Sequence, residues 1–170
     1  MTLDLLVEAA GWQALDLNAL AVRAVSVSLA HLGLDPYACE IALLATDDAH
    51  IATLNAEFRG KPTPTNVLSW PADDLAAEEP GAPPYPPEPD PDGTFPLGDI
   101  ALAWETCNRE ATEQGKSPSD HVTHLVVHGL LHLLGYDHET DPDAALMETL
   151  EVTILGKLGL PDPYAIDDGP

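Results

Sequence analysis

Apolar positions along the chain follow two rhythms, and the switches between them mark out its elements. Residues 3–8, L-D-L-L-V-E, are a short apolar run that predicts a first strand. Over residues 16–33 the apolar positions Leu17, Leu20, Ala21, Ala24, Val27 and Leu32 follow helical spacing, and Gly33 and Pro36 stop the helix. Residues 39–46, C-E-I-A-L-L-A-T, read as a buried strand. Asp47 and Asp48 can cap a second helix that carries Ile51, Leu54 and Phe58 and ends near Arg59-Gly60. The proline-punctuated loop K-P-T-P-T-N then runs into a short strand at 66–70, and 97–104 predicts another. A helix is expected over 105–114, with Gly115 as its stop. Ser117-Pro118-Ser119-Asp120 combines a cap, a proline at the first helical position and an acid in the first turn. That helix should run to about Leu134 and break at Gly135, and Asp141-Pro142 opens a last helix ending near Gly159.

One stretch follows neither rhythm. Residues 71–96 hold nine prolines and seven acids but no base, a composition that cannot bury enough surface to order itself. It predicts an extended, solvated loop or insertion inside one domain spanning 1–170, without internal repeats. The formal net charge is −23, from six basic against twenty-nine acidic residues. Charge alone argues against nucleic-acid binding, because phosphate contacts need Lys and Arg. Cys39 and Cys107 have no metal or disulfide spacing and read as two reduced thiols. The N-terminus lacks a basic signal-peptide region, and no apolar run reaches the ~18 residues of a membrane span. A cytoplasmic protein without membrane association is expected.

The candidate chemistry lies in H-G-L-L-H-L-L-G-Y-D-H, residues 128–138. His128 and His132 stand at i and i+4 on one helix face, one turn apart, so both imidazoles can reach one ion. His138 follows Gly135, where the chain reverses, and can swing back as a third ligand. Three neutral imidazoles leave an open position for water, the layout of a catalytic zinc site. His121 and His124 continue the histidine face upstream. His124 is expected to pack or hydrogen-bond near the site and His121 to be exposed. Asp137 reads either as a carboxylate orienting a ligand or as a turn residue. In the H-E-x-x-H helix of zinc proteases a Glu follows the first His, and here that position is Gly129, which weakens a peptidase reading. Phosphodiester hydrolysis instead calls for a cation near the metal. Among the six bases, Arg59 stands out, because its fork suits a phosphate and it ends a helix just before a loop. Taken alone, it reads more readily as a helix C-terminal charge interacting with the dipole than as a functional group.

These residues resemble the YbeY family of bacterial metal-dependent endoribonucleases. The H-G-L-L-H-L-L-G-Y-D-H stretch is similar to the family signature. L-N-A-E-F-R-G-K-P-T-P-T-N-V-L-S-W (54–70) resembles a second family segment, with Trp70 in place of a Phe, and P-L-G-D-I-A-L-A (96–103) a third. The resemblance spans roughly residues 40–160. It implies an α+β, zincin-like single domain, a small mixed sheet packed with about five helices. It implies one zinc ion held by His128, His132 and His138, and a functional Arg59, the catalytic-site candidate, that contacts RNA or supports catalysis. It further implies a single-strand-specific endoribonuclease in 16S rRNA 3′-end maturation and ribosome quality control. The implied partners are ribosomal RNA and the small subunit, with a small-subunit ribosomal protein or an assembly GTPase beside them. The acidic charge would leave recognition to a patch around Arg59 and Lys61 or to a protein partner. Two other readings compete: a non-catalytic, metal-stabilised ribosome assembly factor and, with less support, a metalloprotease.

Overall fold

A computed structural model describes residues 2–164. It contains strands β1 (Thr2–Val7), β2 (Cys39–Thr46), β3 (Val67–Pro71) and β4 (Phe95–Ala103). The helices are α1 (Leu17–His31), α2 (Asp48–Arg59), α3 (Trp104–Glu113), α4 (Pro118–Leu133) and α5 (Asp141–Lys157). Local chemistry sets most of these boundaries. The side chains of Asp16, Asp47 and Ser117 each accept a hydrogen bond from a backbone N–H in the first turn of α1, α2 and α4. For α5 the cap is Thr140, one residue before the expected start, and Pro142 sits in the first turn.

The strands form one sheet in the order β1-β2-β4-β3. β1 and β4 run parallel to β2, and β3 runs antiparallel to β4. This is the mixed sheet of an α+β fold. Its two faces differ in cover. On one face the main core joins Ile41, Leu43, Ile100 and Leu102 to apolar residues of α1, α4 and α5, among them Leu29, Val126, Leu130 and Ile154. On the other, only Ile51 of α2 is fully buried against Leu68, Ala101 and Ala103. α4 is buried nearly all round, from His121 to Leu133, so the side chains it leaves uncovered project from a rigid central element.

The acidic segment connects β3 to β4. Its ends belong to strands, Pro71 to β3 and Phe95-Pro96 to β4; between them residues 72–94 carry no helix or strand, and most are exposed. It differs from a loop that stays in solvent throughout. The Gly81 N–H donates to the Asp143 carboxylate at the start of α5 at 2.8 Å, and the Tyr85 N–H to the Leu75 carbonyl at 2.8 Å. Its few apolar residues supply the reason. Leu75 packs against the turn at Gly135, where an added Cβ would meet the Leu75 carbonyl carbon at 2.7 Å.

Candidate metal centre

His128 and His132 leave α4 toward the same point, and their partners determine which nitrogen each presents. The Nδ1 of His132 lies 2.9 Å from the backbone carbonyl of Tyr136. A carbonyl only accepts, so Nδ1 carries the hydrogen and Nε2 the lone pair. The Nδ1 of His128 lies 2.5 Å from the Glu151 carboxylate, and the same reasoning leaves Nε2 of His128 bare. The two Nε2 atoms then stand 3.0 Å apart. Two lone pairs cannot hydrogen-bond to each other, but a cation between them resolves the contact. On a tetrahedral zinc with bonds of about 2.0–2.1 Å, two nitrogens stand roughly 3.3 Å apart. Burial, followed by the neighbouring His128 and His138, pushes the His132 pKa down to about 4, which keeps this ring neutral and able to ligate at neutral pH.

His138 completes the cluster. The chain turns at Gly135, whose φ of 96° lies in the left-handed region that side chains avoid. The turn sets the His138 ring 5.4 Å from that of His128 and 5.2 Å from that of His132, centre to centre. One ligating atom from each of the three lies within 4.8 Å of the others, so His128, His132 and His138 can together hold a metal ion. Asp137 shapes the turn, its carboxylate accepting the His138 N–H at 2.7 Å.

Glu151 is a candidate site residue that spacing along the chain does not reveal. It is fully buried on α5 and accepts from His128 Nδ1, from His124 Nε2 at 2.9 Å and from the Tyr164 hydroxyl. Burial alone would raise its carboxyl pKa, but the hydrogen bonds from His124, His128 and the Tyr164 hydroxyl help bring it down to about 2. A fixed carboxylate behind an imidazole selects its tautomer and strengthens it as a ligand. The available signal was its place on the α5 stripe of Met147, Ile154 and Leu155, where a carboxylate needs a partner. His124 hydrogen-bonds beside the site, as expected. His121 is not exposed: it is 3% accessible, with Nε2 2.9 Å from Glu110 of α3. α3 packs over this turn of α4 and covers it.

The three histidines line a cavity of about 740 Å³ together with Arg59, Asn66, Ser69, Trp70 and Asp137. Arg59, remote in sequence, is thus brought to the same cleft at the end of α2. Its side chain is exposed, and no ion pair among the described residues takes up its guanidinium. Lys61 is exposed but does not line the cavity. Asn55 donates to the Thr63 carbonyl at 2.9 Å and Asn66 to Glu110 at 2.9 Å, which pins both ends of the loop after Arg59. Gly129 does not face the cleft. A Cβ there would meet Ser69 Oγ at 3.1 Å and Ile100 Cγ2 at 3.2 Å, so sheet packing, not lost chemistry, explains the small residue.

A family model described as Endoribonuclease YbeY matches residues 8–159. The chain is similar to "Endoribonuclease YbeY" of Ruegeria pomeroyi, 64% identical over 167 residues, covering 98% of this chain and all of the relative. It is 61% identical over 163 residues to the protein of the same name from Dinoroseobacter shibae, covering 96% and 90%. The solution structure of TM1509 from Thermotoga maritima shares the fold, with a TM-score of 0.54 at 20% identity, covering 97% of this chain and all of that one. The motifs, the fold and these likenesses agree: the chain belongs to the YbeY endoribonuclease family.

Proposed function

We propose that this protein is a zinc-dependent, single-strand-specific endoribonuclease of ribosomal RNA processing, acting at the 3′ end of 16S rRNA and in ribosome quality control. The observation that carries the reading is the facing pair of bare imidazole nitrogens, 3.0 Å apart, in one cavity with an unpaired arginine. When bound, zinc supplies Lewis acidity and lowers the pKa of bound water. The protein's own part is positional and electrostatic. Glu151 and the Tyr136 carbonyl hold His128 and His132 in ligating tautomers. The Arg59 fork donates to non-bridging phosphate oxygens, where charge accumulates in phosphodiester cleavage. Relatives named endoribonucleases support the reaction class. The proposed partners are ribosomal RNA on the small subunit, with a small-subunit ribosomal protein or assembly GTPase, in the cytoplasm. No helix among the described residues is long and apolar enough to cross a membrane.

The peptidase alternative weakens further, because a side chain at position 129 would start in close contact with Ser69 and Ile100, its Cβ 3.1 Å from Ser69 Oγ. The assembly-factor alternative draws on the charge of −23 and on acids such as Asp73 and Asp74 in the cleft. The two surviving readings separate with Arg59→Glu. We expect that variant to retain one equivalent of zinc by elemental analysis and to lose cleavage of small-subunit precursor RNA. Absence of RNA cleavage in the zinc-loaded wild type would leave the assembly-factor reading in place.

A further inference from the structure

Next to Arg59, at the end of α2, sits an aromatic ring that the protein does not bury. Phe58 is 61% exposed. An isolated exposed apolar side chain is ordinary, but the position of this one is not. Phe58 lines the same cavity as Arg59 and the three histidines. Trp70 of β3 braces it, with ring centres 5.0 Å apart and planes at 68°, so the ring is held edge to face and keeps free area toward the cleft. The helix end that carries it is tied down through Asn55 and Thr63. Behind the pair, a second hollow of about 650 Å³ is lined by Leu5, Leu44, Leu54 and the same two rings.

We propose that Phe58, braced by Trp70, is the stacking platform for an unpaired RNA base beside the phosphate received by Arg59 and the histidine cluster. The inference rests on the endoribonuclease reading and extends it to how the substrate is selected. Every base has a π face that stacks on a rigid aromatic ring, so such a contact tolerates sequence, but a base paired within a duplex cannot offer that face. Single-strand preference then follows from the geometry of one residue. The apolar contact also eases the electrostatic problem. Among the described residues Arg59 is the one base lining the cleft, beside several acids, so phosphate attraction is weak, and stacking supplies affinity that does not depend on positive charge.

The test uses the zinc-loaded protein and single-stranded oligoribonucleotides. Binding is read on a 2′-O-methyl oligonucleotide carrying 2-aminopurine, whose fluorescence is quenched on stacking, and cleavage is read on the matching RNA. We expect quenching with wild type, its loss in Phe58→Ala and its retention in Phe58→Trp. Phe58→Ala should weaken binding by about 5- to 100-fold, the range for removing one stacked base. An abasic nucleotide at the stacked position should cost wild type as much, and should cost Phe58→Ala little more. Equal quenching in wild type and Phe58→Ala, no quenching in wild type, or losses that multiply would each overturn the proposal. Quenching by a wild type that cleaves no RNA would overturn the enzyme reading while supporting the stacking contact. Because Phe58 is exposed, its truncation leaves the core intact, and an unchanged thermal midpoint checks this.

Discussion

His121 and His124 lie on the same stripe of α4 as His128 and His132, yet they offer the imidazole the other way round. The upstream pair spends Nε2 on carboxylates, 2.9 Å from Glu110 and 2.9 Å from Glu151, and both Nδ1 atoms are buried without partners among the described residues. The downstream pair spends Nδ1 on Glu151 and on the Tyr136 carbonyl, and the Nε2 atoms face each other. Nε2 is the nitrogen at the far end of the ring. A helix histidine anchored through Nδ1 therefore extends a lone pair into the cleft, and one anchored through Nε2 ends at its anchor. One helix and one residue type give imidazoles anchored through Nε2 at one end and candidate ligands at the other, and the placement of neighbouring acceptors makes the difference.

The largest expected break of this contrast is His132→Ala. It should reduce zinc content from about one equivalent toward zero and abolish RNA cleavage, while His121→Gln keeps its zinc. Full cleavage by metal-free His132→Ala would remove the metal from the reaction. Glu151→Gln tests the anchor rather than the ligand. Its amide can no longer accept from both histidines, and zinc affinity by chelator competition should fall about 10- to 100-fold. Unchanged affinity would show that the His128 tautomer does not depend on the carboxylate. His121→Gln should act on stability alone, lowering it by about 1–3 kcal/mol through loss of the buried contact to Glu110, as read by urea unfolding.

The smallest effect concerns pH. Burial holds the His121 pKa below its ordinary value of 6.5, against the pull of Glu110. The contact to Glu110 is thus a hydrogen bond from a neutral ring rather than an ion pair. Above pH 6.5 the ring is neutral folded or unfolded, and its contribution to stability is fully present. As pH falls below 6.5, the unfolded chain takes up a proton that the folded state refuses, and stability declines toward the folded pKa. The fall of the urea midpoint with acidification should be shallower in His121→Gln than in wild type. Parallel slopes would mean that His121 does not carry this dependence.

Much of this molecule is legible along the chain. Capping residues, Pro118, and the glycines after α2 and α4 act within one or two turns, so helix boundaries fall within a residue or two of expectation. The three cleft histidines are legible for the same reason, since i, i+4 spacing and a glycine turn are local geometry. His121 was misplaced because its cover comes from α3, and nothing in its own neighbourhood records that Glu110 lies across it. Glu151 is not legible along the chain, because a Glu between apolar residues of a C-terminal helix meets its histidine partners only once α5 packs on α4. Gly129 looked like missing chemistry and proved to be a close approach of the sheet.

By itself, then, the chain determines its elements, their caps and the presence of a three-histidine cluster, because periodicity and turn chemistry are short-range. Only the tertiary structure decides which histidines present a free nitrogen to the cleft, through carboxylates and carbonyls from α3, α5 and the 134–138 turn. It also delivers Arg59 and Phe58 to the cleft from the end of α2. The Glu151 contacts join residues 23 and 27 positions apart, and Arg59 and Phe58 come from further still, so sheet order and helix packing bring them together.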